Sequence, residues 1–150
     1  MDSIAIDTSK ASTNALHKPG QIHQKSNGKV YKYVQYDSGS GPVAAVSSNV
    51  TYYYLASGYN ANKVTSDLSD SVNLGAGVLQ STPTDGQYCW IQIKGSATLT
   101  TALTAGADGN ALTAVGATDG TLDVSVAVTD AICAYADDIS AKEIVCDFPF

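Results

Sequence analysis

Three cysteines, two histidines and fourteen carboxylates are the side chains through which this 150-residue chain could do chemistry. His17 and His23 stand six residues apart near the start, whereas a zinc site draws on four ligands at tighter spacing. Cys89 alternates with Ile91 and Ile93, and Cys146 with Ile144 and Phe148, so both are predicted to be reduced, buried core residues. Cys133, in AICAYA, has apolar neighbours on both faces and fits either. A catalytic thiol would want a histidine and an aspartate near it in space, and no sequence feature assigns such partners to any of the three cysteines, so a catalytic role is not the expectation.

The carboxylates are thirteen aspartates and Glu143. Most aspartates fall in turns, where the side chain bonds its own backbone, so a glycosidase-type pair is not specified. Two similar segments, 105–110 (AGADGN) and 115–121 (VGATDGT), match neither the EF-hand loop nor a tandem calcium nonapeptide, and are predicted to be hairpin turns. No G-x-S-x-G elbow and no P-loop appears. These residue types therefore predict a chain that is not an enzyme and uses no metal or cofactor.

Charge narrows the partners. Eight basic residues are all lysine, and the net charge is −6. A chain without arginine lacks the bidentate fork that reads phosphate and guanine, which argues against nucleic acid. Lys10, Lys18, Lys25, Lys29 and Lys32 all precede residue 40, which sets a basic N-terminal part against an acidic body. No run approaches the roughly 20 apolar residues of a membrane helix. Met1-Asp2-Ser3-Ile4 has neither the basic nor the apolar part of a secretory signal, so synthesis in a reducing compartment is expected.

The elements that must position these residues are strands. Small and β-branched residues dominate, and helical periodicity is nearly absent. Asn27-Gly28 predicts a hairpin between QIHQKS and KVYKYVQY, with Val30, Lys32, Val34 and Tyr36 on one face and Tyr31, Tyr33 and Gln35 on the other. Further strands are predicted over 50–55, 72–79 (broken by two glycines), 85–95, 122–128 and 142–148. A short helical turn is predicted within 66–72. In DGQYCWIQIKG (85–95), Cys89, Ile91 and Ile93 form a core face; Tyr88, Trp90, Gln92 and Lys94 form a face suited to water or another chain. Residues 1–19 have no apolar face able to fold alone, and read as an extended arm before a body at 20–150. The fold class expected is all-β, a single compact β-barrel or β-sandwich-like domain with an extended N-terminal arm.

GKVYKYVQY (28–36) after a proline-glycine, then Gly86-x-Tyr88-x-Trp90-x-Gln92, the small residues ATLTT and the turn at 105–112, together resemble the small capsid decoration, or cement, proteins of tailed bacteriophages. The resemblance covers roughly residues 19 to 128. It implies a structural protein on the outer capsid surface of the virion, bound to the major capsid protein and to itself as a homotrimer. It also implies that the arm, through Ile4, Ile6 and Leu16, contacts capsid or a sister subunit, and that Tyr88, Trp90 and Tyr53 lie at a protomer or capsid interface. The competing expectation is a glycan-binding fibre or adhesin module, in which the nine tyrosines and one tryptophan stack on sugar rings.

Overall fold

The computed structural model of the chain describes residues 6–55 and 57–150. The hairpin at Asn27-Gly28 joins β1 (Ile22–Gln24) to β2 (Val30–Tyr36), with Gly28 at φ +86° in the turn. There follow β3 (Val50–Tyr54), a single helical turn α1 (Gly58–Ala61), β4 (Lys63–Thr65), a 3₁₀ turn (Leu68–Asp70) and β5 (Ser71–Leu79). The long strand β6 (Tyr88–Thr98) comes next. After it lie β7 (Ala111–Thr113), β8 (Asp123–Val124), β9 (Ile132–Asp138) and β10 (Glu143–Asp147). The chain is nearly all-β.

Five strands close on themselves in the order β2-β4-β3-β5-β6, because β6 pairs with β2 on one side and β5 on the other. Of the two architectures left open by the sequence, the barrel is the one formed. β6 is longer than the barrel needs. Its first half, Tyr88 to Lys94, pairs with β2; its second half, Lys94 to Thr98, pairs with β10. Gly95, at φ +97°, stands where the strand leaves the barrel, a conformation glycine adopts without steric cost. β10, β9, β7 and β8 then extend the sheet beyond the barrel.

The alternation predicted for β6 and β2 sets the core. Cys89, Ile91 and Ile93 face inward with Val30, Val34 and Tyr36. Cys133 and Cys146 join the same core with Ile144 and Phe148, and all three thiols are free and buried. Burial pushes each thiol up to about 12. The two glycines of β5 mark close approaches. A Cβ on Gly75 would lie 2.7 Å from Cys133 Sγ and 2.9 Å from Phe148 Cε1, and one on Gly77 would lie 2.8 Å from the Gln92 carbonyl.

The strand predicted over 122–128 does not form at that length. Only Asp123–Val124 pair with β7, with one further backbone bond from Ser125 N to the Ala111 carbonyl (2.9 Å). The reason is Asp130, whose carboxylate accepts from Val126 N (3.1 Å), Ala127 N (3.0 Å) and Ser125 Oγ (3.2 Å), curling the chain into a turn. These bonds hold the Asp130 carboxyl below its ordinary range. Val126 and Val128 are left 88% and 104% exposed.

Candidate functional site

Residues 6–19 lie against the outer face of the barrel. Ser12 and Tyr88 exchange backbone hydrogen bonds of 3.0 and 2.8 Å, so the arm adds a one-residue bridge to the edge of β6 that β5 does not reach. The arm turns back into β1 at Pro19-Gly20, where Gly20 has φ +92° and donates to the Tyr33 carbonyl at 2.7 Å. Side-chain bonds add to this. Leu16 N donates to Tyr33 Oη (3.2 Å), Lys25 Nζ to Thr8 Oγ1 (2.9 Å) and Gln87 Nε2 to Thr13 Oγ1 (3.3 Å). At the head of the arm, Asp7 accepts from the Ser9 hydroxyl and backbone, which lowers its pKa.

Beneath the arm is a second, smaller hydrophobic cluster of Tyr31, Tyr33 and Trp90, packed by Ile6 and Tyr88. It exists because the outward residues of β2 and β6 are paired in register, with Tyr33 directly opposite Trp90. Their rings are 5.0 Å apart, and Tyr33 stacks on Tyr88 at 6.1 Å and 14°. His17, from the arm, lies 5.1 Å from Tyr33 and 5.2 Å from Trp90, and His23 lies 6.1 Å from Trp90. The two histidines thus flank one indole. Lys25 sits 5.0 Å from the centroid of Tyr31.

At the seam between arm and barrel is a cavity of about 180 Å³, lined by Ile6, Leu16, His17, Tyr33 and Trp90, with Asp7 and Lys10 completing it. The structure therefore brings Ile6 and Leu16 to Trp90, residues expected in two separate contacts, one of the arm and one of the aromatic face. Ile4 lies outside the described residues. The face expected to be open to a neighbour is covered from within: Trp90 is buried and Tyr88 half-buried under their own arm. The physical reason is that an indole beside two phenols is a large apolar surface, and the nearest segment able to cover it is the arm joined to β1.

Tyr53 is elsewhere. It is buried inside the barrel, where its hydroxyl accepts from Lys32 Nζ at 2.7 Å and its ring meets Tyr59 at 4.9 Å. It offers no surface to another chain. Lys32 was missed as a distinctive residue, although its place in the alternation Val30-Lys32-Val34 put it on the core face. Tyr33 was also missed, and His17 was weighed only as a metal ligand. For Tyr33 the signal was present, since both β2 and β6 carry aromatics at alternate outward positions.

A wider cleft of about 360 Å³ lies between the loops at 38–45 and 82–85, lined by Pro42, Ala45, Thr82, Pro83 and Asp85 among others. The hydroxyl of Tyr36, on its wall, is committed to the Val43 carbonyl at 2.7 Å. No group of three or more metal-binding side chains occurs among the described residues, and no helix among them is long and apolar enough to cross a membrane. No family of known proteins, no curated protein and no solved structure matches the chain.

Proposed function

We propose that this chain is a structural protein of a bacteriophage virion, seated on the outer capsid surface, where it cements neighbouring major capsid protein subunits and associates with itself as a homotrimer. The observation that supports this most is the arm. It meets the edge of β6 through the single Ser12–Tyr88 backbone bridge, held besides by a few side-chain bonds and by Ile6 and His17 on the aromatic cluster. A segment that pairs through its backbone in this way can exchange that edge for one on a neighbouring chain, since backbone bonds carry the affinity and side chains the fit. Many weak contacts across one shell then add up to tight cementing.

The sequence resemblance at 28–36 and 86–92 points the same way. The glycan-binding reading has less support, because Trp90 is buried and presents no open ring face on which a sugar could stack.

The test is to mix the purified chain with heads that lack decoration and to measure co-sedimentation, with cryo-electron microscopy of the pellet. Ordered density on the outer surface, bridging capsid subunits, is the expected result. Absence of binding, together with retention on a glycan array, would replace this reading with the adhesin one.

A further inference from the structure

The cleft between the loops at 38–45 and 82–85 has walls held in place by carboxylates. Four successive backbone amides of the first loop each donate to a different aspartate. Ser38 N reaches Asp85 Oδ1 at 2.9 Å, and Gly39 N reaches Asp37 Oδ1 at 2.9 Å. Ser40 N donates to the Asp70 carboxylate, and Gly41 N to Asp67 Oδ2 at 3.2 Å. A Cβ on Gly39 would lie 2.7 Å from Asp67 Oδ2, so the missing side chain is what lets the loop close on these groups. The Ser38–Asp85 bond ties one wall of the cleft to the other. The cleft therefore exists before any ligand arrives, which spares an ordering cost on binding.

Its lining selects a chemical class. Tyr36 and Pro83 are buried at the floor, with Pro42, Ala44 and Ala45 completing the apolar walls. At about 360 Å³ the cleft falls within the roughly 300–1,000 Å³ of small-molecule sites, which join apolar walls to a few placed polar groups. Asp85 is the one charged side chain among the described lining residues, and it is exposed at the rim. One of its oxygens holds Ser38; the other accepts no hydrogen bond from a described residue. The wall behind is acidic too. Asp37, Asp67 and Asp70 all bond this loop, and of the four aspartates only Asp37 is in an ion pair among the described residues, with Lys63 at 3.3 Å. An apolar slot with a negative rim complements a ligand that is apolar with a positive end.

We propose that this cleft binds a small organic cation, an apolar ring or short chain that carries one ammonium group. The apolar part lies over Tyr36 and Pro83. The ammonium stays at the mouth and donates to the open oxygen of Asp85, a charge-assisted bond. A free molecule suits the slot better than a lysine of another chain. The lysine would bring its charge to the apolar floor, whereas a free amine enters by its apolar end. The cleft shares no residue with the arm or the Trp90 cluster, so this binding is independent of the capsid role.

Titration of the isotope-labelled full chain, followed by amide chemical shifts, is the test. The probes share one ring: phenethylamine as its ammonium ion, neutral phenethyl alcohol and anionic phenylacetate. The ammonium should give saturable shifts at 38–45 and 82–85 and bind about tenfold more tightly than the alcohol, the gain from one charge-assisted bond. The anion should bind more weakly than either. Asp85→Asn keeps an acceptor for Ser38 N, so the wall stays in place. It should bring the ammonium down to the affinity of the alcohol and leave the alcohol unchanged. Ala44→Phe, at an exposed position, should fill the cleft and abolish both. Circular dichroism of both variants should match the parent.

Absence of saturable shifts overturns the proposal, as does saturation elsewhere on the chain. Equal affinity of the parent for ammonium and alcohol overturns it too, as does an undiminished ammonium preference in folded Asp85→Asn. A lysine-bearing peptide that fills the cleft while the free amine does not would make it a protein contact instead. Head binding is scored separately: a chain that decorates heads and ignores the amine loses only this site, and one that binds the amine and ignores heads loses only the capsid role.

Discussion

Lys32 Nζ donates a 2.7 Å hydrogen bond to Tyr53 Oη inside the barrel, and among the described residues no carboxylate forms an ion pair with it. Lys32 is only 4% exposed, and burial lowers its ammonium pKa. A lysine whose pKa falls on folding destabilises the fold while the unfolded chain binds the extra proton. That penalty is present at neutral pH and fades as pH rises towards the ordinary value of about 10.4.

Tyr53→Phe, which leaves the buried ammonium without its acceptor, should cost about 1–3 kcal/mol at neutral pH. The double variant Lys32→Met with Tyr53→Phe should be at least as stable as the parent, since an apolar pair replaces a buried charge. Urea denaturation of the parent, both singles and the double closes the cycle. A double variant several kcal/mol less stable would mean that Lys32 stabilises the barrel.

The thiols titrate in the opposite sense. Cys89, Cys133 and Cys146 sit at about 12 when folded, against roughly 8.5 for a free thiol. Their contribution to stability is full below about pH 8.5 and is lost as pH climbs, at about 1.4 kcal/mol per pH unit for each thiol. Denaturation midpoints measured from pH 7 to 10 should fall, and the fall should be shallower in Cys133→Ala. At pH 8, a thiol reagent should label the native chain no faster than it unfolds.

Gly75 is required by contact, because its backbone has no left-handed angle. Gly75→Ala drives a Cβ against Cys133 Sγ and the Phe148 ring, and overpacking of this kind costs about 1–3 kcal/mol. Adding Cys133→Ala removes the closer atom and should recover part of that loss, a non-additivity readable by thermal melts.

The strap over Trp90 can be loosened at one atom. Ser12→Pro removes the donor to the Tyr88 carbonyl, and should shift Trp90 fluorescence to the red and raise its quenching by acrylamide. Global stability should change by only about 1 kcal/mol, the worth of one hydrogen bond. Trp90→Ala, by contrast, empties a buried cluster and should cost about 3–5 kcal/mol. Unchanged emission in Ser12→Pro would show that the arm holds without its bridge.

Local periodicity made much of this fold readable. The two faces of β6, the Asn27-Gly28 hairpin and the close approaches at Gly75 and Gly77 all follow from alternation and from glycine's missing side chain. The closure of β2 against β6 was not readable, because pairing between strands far apart in sequence leaves no periodic trace. The 122–128 segment misled for a related reason: its alternation is clean, yet the Asp130 carboxylate offers the amides of Val126 and Ala127 a better partner than β7. At the site, Trp90 and Tyr88 were legible as an aromatic face, but nothing local said that the chain's own arm would cover it.

β6 belongs at once to the barrel and to the sheet beyond it, and Cys133, Ile144 and Phe148 of the outer part pack into one core with Ile91 and Ile93. Unfolding should then proceed in one step, with the amides of Ile91 and Ile93 exchanging only when the whole chain opens. The same strand sets a bound on folding speed. β2 and β10 must each find it across long stretches of sequence, and such distant pairings place the chain among slow folders.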